Sequence, residues 1–147
     1  MALKDQLMAD MKEAMKAHDK DRLAVIRMVR GAVRQQEIDG KKELEDSDVI
    51  AVISKEVKMR RDSIEEFNKG GRQDLVEKTQ AEIDILMPYL PAQLSEDEVR
   101  ELVKAAVEAT GAKTQKDMGK VMGMATKTLA GKAEGRMISE TVKRLLS

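Results

Sequence analysis

The chain is predicted to be all-α, and three observations predict it. Strong helix formers dominate the composition, while aromatic residues are nearly absent: the 147 residues include one Phe, one Tyr and no Trp, but eleven Met. Apolar side chains recur at i, i+3 and i+4 in successive stretches. Glycines, prolines and short polar residues fall between those stretches where helix ends require them. No segment reads as a strand, and there is no internal repeat of solenoid period. The architecture expected is an N-terminal helical bundle or hairpin over 1–90 and a small C-terminal three-helix domain over 91–147.

The first helix is placed at about Ala2–Ala17, with Leu3, Leu7, Met11, Ala14 and Met15 on one stripe. HDKD (18–21) interrupts it, and Asp19 or Asp21 caps a second helix running to about Asp39. Ile26, Val29 and Val33 form its buried face, flanked by Leu23, Val25 and Ala32. Gly40 and the charged KKELED segment follow as a loop. Asp46 or Ser47 caps a third helix to about Asn68, with Val49, Ile53, Val57, Ile64 and Phe67 inward, and Gly70–Gly71 stop it. A fourth helix spans about Gln73–Met87 on Leu75, Val76, Thr79, Ile83, Leu86 and Met87. PYLPAQL (88–94) holds both prolines and reads as a linker, because proline inside a helix removes a hydrogen bond and clashes with the preceding turn. SEDE (95–98) is a capping box for a fifth helix to Thr110, with Val99, Leu102, Val103, Ala106 and Val107 apolar. Two shorter helices follow, about Lys116–Leu129 and Gly135–Leu146.

Formal net charge is zero, so no global field attracts nucleic acid or a membrane. Its distribution is uneven. Residues 92–110 carry two basic and five acidic side chains, whereas residues 111–147 carry eight basic and three acidic. The absence of cysteine excludes disulfides and thiol chemistry and suits a reducing compartment; with no signal peptide or membrane span in the opening MALKDQLMADMKEAM, a cytoplasmic location is expected.

The basic excess coincides with GKVMGMATKTLAGKAEGR (119–136), where Gly119/Gly123 and Gly131/Gly135 form two GxxxG pairs. No strand precedes it and GxxxxGK[ST] is absent, so it is not a P-loop. Its lysines exclude a membrane dimerisation face. Gly119 and Gly123 are expected to allow close helix packing, and Gly131 and Gly135 to bound an exposed turn whose following helix end favours anions. Lys113, Lys116, Lys120, Lys127 and Lys132 face only Asp117 and Glu134 as local acids. Each lysine alone reads as ordinary solvated surface; as a set they suit phosphate neutralisation. Aromatic stacking is unavailable there, so RNA, if bound, is held by shape and backbone.

Four segments, LAVIRMV (23–29), PYLPAQLSEDEV (88–99), DMGKVMG (117–123) and GKAEGRMIS (131–139), resemble the YqeY family, and the resemblance spans the chain. The family's C-terminal part is the GatB/YqeY domain, found also as the tail of the B subunit of tRNA-dependent amidotransferase. The resemblance implies a helical N-terminal domain (1–90), a GatB/YqeY-type tail domain (91–147) and a link to tRNA. The family's label, a carbon–nitrogen ligase using glutamine as amido donor, is inherited from the larger enzyme. Here it has no residues to carry it: none of the six serines lies in a GxSxG elbow or an amidase-like Gly/Ser-rich segment.

Other candidates reduce to structure. His18, the single histidine, reads as an exposed loop residue, so neither a metal site nor a cofactor is expected. Glu56 and Arg60, four apart, suggest a partly buried ion pair. The Arg27, Arg30, Arg34 stripe is assigned a structural role, pairing with acids of neighbouring helices. Met118, Met122, Met124 and Met137 are expected to fill an aromatic-poor core rather than an adaptable groove. The functional expectation is a non-catalytic accessory protein that binds tRNA or another structured RNA through Lys120, Lys127, Lys132 and Arg136, with aminoacylation or amidotransferase proteins as further partners and no membrane. Its alternatives are a protein-interaction adaptor and, below it, an amide-transferring enzyme component.

Overall fold

The computed structural model describes residues 2–147. It contains α1 (Leu3–Lys16), α2 (Lys20–Gly40), α3 (Asp46–Lys69), α4 (Gln73–Leu86), α5 (Glu96–Thr110), α6 (Met118–Thr128) and α7 (Gly135–Leu146), and no strand among the described residues. The chain is all-α, as its periodicity predicts. It divides into two compact units, Met1–Leu90 and Pro91–Ser147.

The first unit packs α1 to α4 around Leu7, Ile26, Val29, Val49, Ile53, Ile83 and Leu86, all essentially inaccessible. At roughly 1.5–3 kcal/mol per buried aliphatic side chain, these stripes supply the main term holding the helices together. Asp19 caps α2 by accepting from the Arg22 N–H at 3.2 Å. The cap of α3 differs from expectation. Glu45 is the N-cap residue, and its N–H donates to Asp48 at 3.0 Å. Asp46 is thereby free to accept from the Leu3 N–H at 2.9 Å, which ties α1 to the start of α3.

Two further departures have simple causes. KKELED is not wholly solvated: Leu44 is buried, and its N–H donates to Glu37 at 2.9 Å. The expected linker begins inside the first unit. Met87–Tyr89 forms one 3₁₀ turn after α4, Tyr89 and Leu90 pack on the core, and the Tyr89 hydroxyl donates to Asp10. Proline is compatible with this because the first turn of a helix needs no N–H partner there.

The expected Glu56–Arg60 pair is present at 2.8 Å, and Arg60 also donates to Glu82 at 3.0 Å, joining α3 to α4. His18 is exposed, with φ +56°, at the break between α1 and α2.

The second unit is a three-helix core of Val99, Val103, Val121, Ala125, Leu129, Ile138 and Val142. Ser95 caps α5, accepting from the Glu98 N–H at 3.2 Å. Leu102, expected on the apolar face, is 39% exposed, because the face is narrower than the run of apolar residues. Met118, Met122 and Met137 pack on this core, as expected, whereas Met124 is exposed.

Candidate nucleic-acid interface

The candidate interface is built on α6. Its inward stripe is Val121, Ala125 and, one turn on, Leu129, each 0–1% exposed. At 3.6 residues per turn the opposite face then carries Lys120, Gly123 and Lys127. α6 contains two lysines and no acid. Neither Lys120 nor Lys127 makes an ion pair among the described residues. Both ammonium groups are therefore available to an external anion.

The start of α6 is set by Asp117, whose carboxylate accepts from the Lys113 N–H at 3.1 Å and the Thr114 N–H at 3.5 Å. These backbone donors hold its pKa below the ordinary carboxylate range, with a smaller contribution from the Lys120 charge. Asp117 is thus occupied by the turn it closes.

The packing expected of Gly119 and Gly123 is not found. Both are exposed, and a Cβ built on either meets nothing within 4 Å. The pair is not a helix-packing device within the second unit. It leaves a bare strip of helix backbone beside the lysines. The GxxxG spacing alone could not reveal this, because i and i+4 glycines mark a face without saying what covers it.

Gly131 has φ +74°, the left-handed region that glycine enters at little cost, but it does not end the helix as expected: α6 stops at Thr128, and Gly131 shapes the turn that follows, closed by the Lys132 N–H donating to the Leu129 carbonyl at 2.8 Å. The turn is pinned: the Gln93 side-chain amide donates to the Gly131 carbonyl at 2.7 Å, and the Leu94 N–H donates to the Lys132 carbonyl at 2.9 Å. Lys132 is exposed on that turn. Arg136 lies in the first turn of α7, 3.5 Å from Glu140, both side chains exposed. The N-cap of α7 is Glu134, so this amino end already has an acid of its own and is a poorer anion site than expected. Of the four expected phosphate contacts, Lys120 and Lys127 share one open face; Lys132 and Arg136 lie on other elements, and Arg136 has an intramolecular acid.

The Arg27, Arg30, Arg34 stripe also departs from expectation. None of the three pairs with an acid among the described residues. Arg30 is half-buried and donates to the Met11 sulfur at 3.0 Å. The described residues contain no group of three or more His, Asp or Glu side chains able to hold a metal, and no helix long and apolar enough to cross a membrane.

Two helical units, the second with an open lysine–glycine helix face, define an all-α chain whose exposed cations suit an anionic ligand. Residues 4–146 match the family described as Yqey-like protein, and the chain belongs to that YqeY family. It is 33% identical over 145 residues to "Altered inheritance of mitochondria protein 41, mitochondrial" of Pyrenophora tritici-repentis, covering 96% of this chain and 79% of the relative. The protein of the same name in Kluyveromyces lactis is 44% identical over 87 residues, covering 58% of this chain and 47% of the relative. The chain thus spans about half the length of that yeast relative and of the one in Lachancea thermotolerans, at 46%. These names correct the cytoplasmic expectation: the relatives are mitochondrial by name. Lack of cysteine suits a reducing interior, but it does not separate one such compartment from another.

Proposed function

We propose that the protein is a non-catalytic accessory factor that binds structured RNA, tRNA above all, through residues 91–147 acting as a GatB/YqeY-type tail domain. The observation that carries this reading is the outward face of α6. Lys120 and Lys127 stand there without acidic partners, with the bare backbone of Gly123 between them. Phosphate binding needs cations that are not already neutralised and a surface that a sugar–phosphate chain can approach. Lys132 and Arg136 extend the cationic surface, Arg136 with reduced effect because of Glu140. A link to tRNA-dependent amidotransferase-like systems rests on the resemblance of this tail alone.

The test is filter binding of unfractionated tRNA across a salt series, with the wild type and with K120Q/K127Q/K132Q/R136Q. Each lost phosphate contact should flatten the slope of log K against log salt by roughly 0.7–0.9. Affinity and slope unchanged in the variant would end the proposal. A second reading, a protein-interaction adaptor, is favoured by apolar exposure on the first unit: Met28, Met59 and Ile38 are 36%, 50% and 60% exposed. It gains if wild-type protein retains no RNA while capturing a defined protein partner.

A further inference from the structure

The first unit holds a groove between α1 and α2, with a volume of about 350 Å³. Arg27, Arg30 and Arg34 line one side of it, spanning about 60° of the circumference of α2 and about 10 Å of its length. Lys4 lines the other side, but its ammonium is taken by Glu37 at 2.8 Å. Glu37 in turn also accepts from the Leu44 N–H, and these two donors hold its pKa below the ordinary value, with a smaller contribution from the Arg34 charge. Asp5 is the one remaining acid on the groove. Four cationic and two acidic side chains line the groove, so a local excess of two positive charges stays uncompensated.

Arg30 sharpens the point. It is half-buried, yet among the described residues its guanidinium, with five N–H donors, donates only to the Met11 thioether, a weak acceptor. A guanidinium in that setting gains strongly from an incoming anion. Gly31 also lines the groove, about 40° round the helix from Arg27 and beside the arginine stripe, and a Cβ there would meet nothing within 4 Å, so the groove is open at that point. Met8, 39% exposed, supplies the accessible apolar floor, lying over the buried Leu7 and Val33.

We infer that this groove is a nucleotide-phosphate site, independent of the α6 face. Three arginines lining one groove suit phosphate better than a carboxylate, because phosphate carries more charge and more acceptor oxygens in a geometry that bidentate guanidinium forks match. The groove is larger than phosphate alone requires. Its methionine floor suits the flat face of a base, with the arginine planes able to stack on it. The phosphate can belong to a free mononucleotide or to an RNA strand.

The test uses full-length protein, with AMP, a 5′-phosphorylated RNA trinucleotide, inorganic phosphate and unphosphorylated adenosine as probes, followed by the NMR shift of the Met8 methyl group. AMP or the trinucleotide should bind and shift Met8, and adenosine should not. Tighter binding of the trinucleotide than of AMP assigns the site to a strand; equal binding assigns it to the free nucleotide. The exposed-residue variant R27Q/R34Q should weaken binding at least tenfold without loss of fold. G31L, which fills that opening on an exposed helix face, should abolish it while leaving the helix intact. K120Q/K127Q/K132Q/R136Q should leave it unchanged, so the two sites fail separately. Saturable binding that survives both R27Q/R34Q and G31L, equal binding of adenosine, or no binding of either phosphorylated nucleotide at millimolar concentration would overturn the assignment.

Discussion

Gly123→Ala should make the protein more stable. In an 11-residue helix, Gly123 lies in the interior, is exposed, and has open space where a Cβ would go. An interior glycine costs a helix about 0.8–1.0 kcal/mol relative to alanine through the backbone freedom it forfeits on folding. With no steric penalty to set against it, nearly the whole of that should be recovered. Gly119→Ala, in the first turn of α6, should add less, so the double variant should gain about 1–1.5 kcal/mol. The readout specific to the second unit is native-state hydrogen exchange at the Val121 and Ala125 amides, whose global opening should slow by about tenfold per 1.4 kcal/mol. A loss of stability would mean that the glycines are covered by packed atoms, and the open-face description of α6 would be wrong. Gly131→Ala supplies the opposite sign: at φ +74° an L side chain should cost about 1 kcal/mol. If Gly119 and Gly123 admit an RNA backbone, the double alanine variant should hold tRNA less tightly while being more stable.

Arg60→Ala should destabilise by about 2–4 kcal/mol in urea denaturation, because it strands Glu56 and Glu82 together at a half-buried position; R60M/E56Q/E82Q should recover much of the loss. Asp117 is held below the ordinary carboxylate pKa by the Lys113 and Thr114 N–H groups, so its contribution is present above that range and disappears as pH falls. Asp117→Asn should flatten the acid limb of a stability–pH profile read at α6 amides, and an unchanged limb would refute the turn-closing role. Burial, followed by the Asp10 carboxylate, raises the Tyr89 pKa above its ordinary value near 10. That stabilisation is complete below pH 10 and lost above it, so Tyr89→Phe should remove the alkaline decline of the first unit. Leu44→Ala should cost about 2 kcal/mol, the low end for a buried leucine, since its loop can relax.

Helix number, order and most boundaries were legible because each helix carries its own periodic stripe and its own punctuation. Ser95 with Glu98 is a local signal that caps as read, and of the two acids offered at the α1–α2 break, Asp19 is the one that caps. Signals that depend on a distant partner were not legible. Asp46 was available as a cap until Leu3, far away in sequence, claimed it. Leu44 sits in a run of charges, so nothing nearby announces that Glu37 and the core will hold it. Gly119 and Gly123 share their spacing with real packing glycines, and only the neighbouring atoms separate the two cases. The arginine stripe on α2 failed for the same reason: its residues were visible, but the prior commitment of Glu37 to Lys4 was not. For the α6 face, the residue types could be read directly, whereas their availability could not.

The fastening of the Gly131–Lys132 turn has a kinetic corollary. Gln93 and Gly131 are 38 residues apart. Bringing such ends together before the intervening helices exist incurs a large closure entropy, so this clasp should form after the barrier to folding has been crossed. Its removal by Gln93→Ala should then leave the refolding limb of a chevron in place and raise only the unfolding limb. The clasp would serve persistence rather than assembly, keeping the Lys132 turn in one shape long after the helices have met.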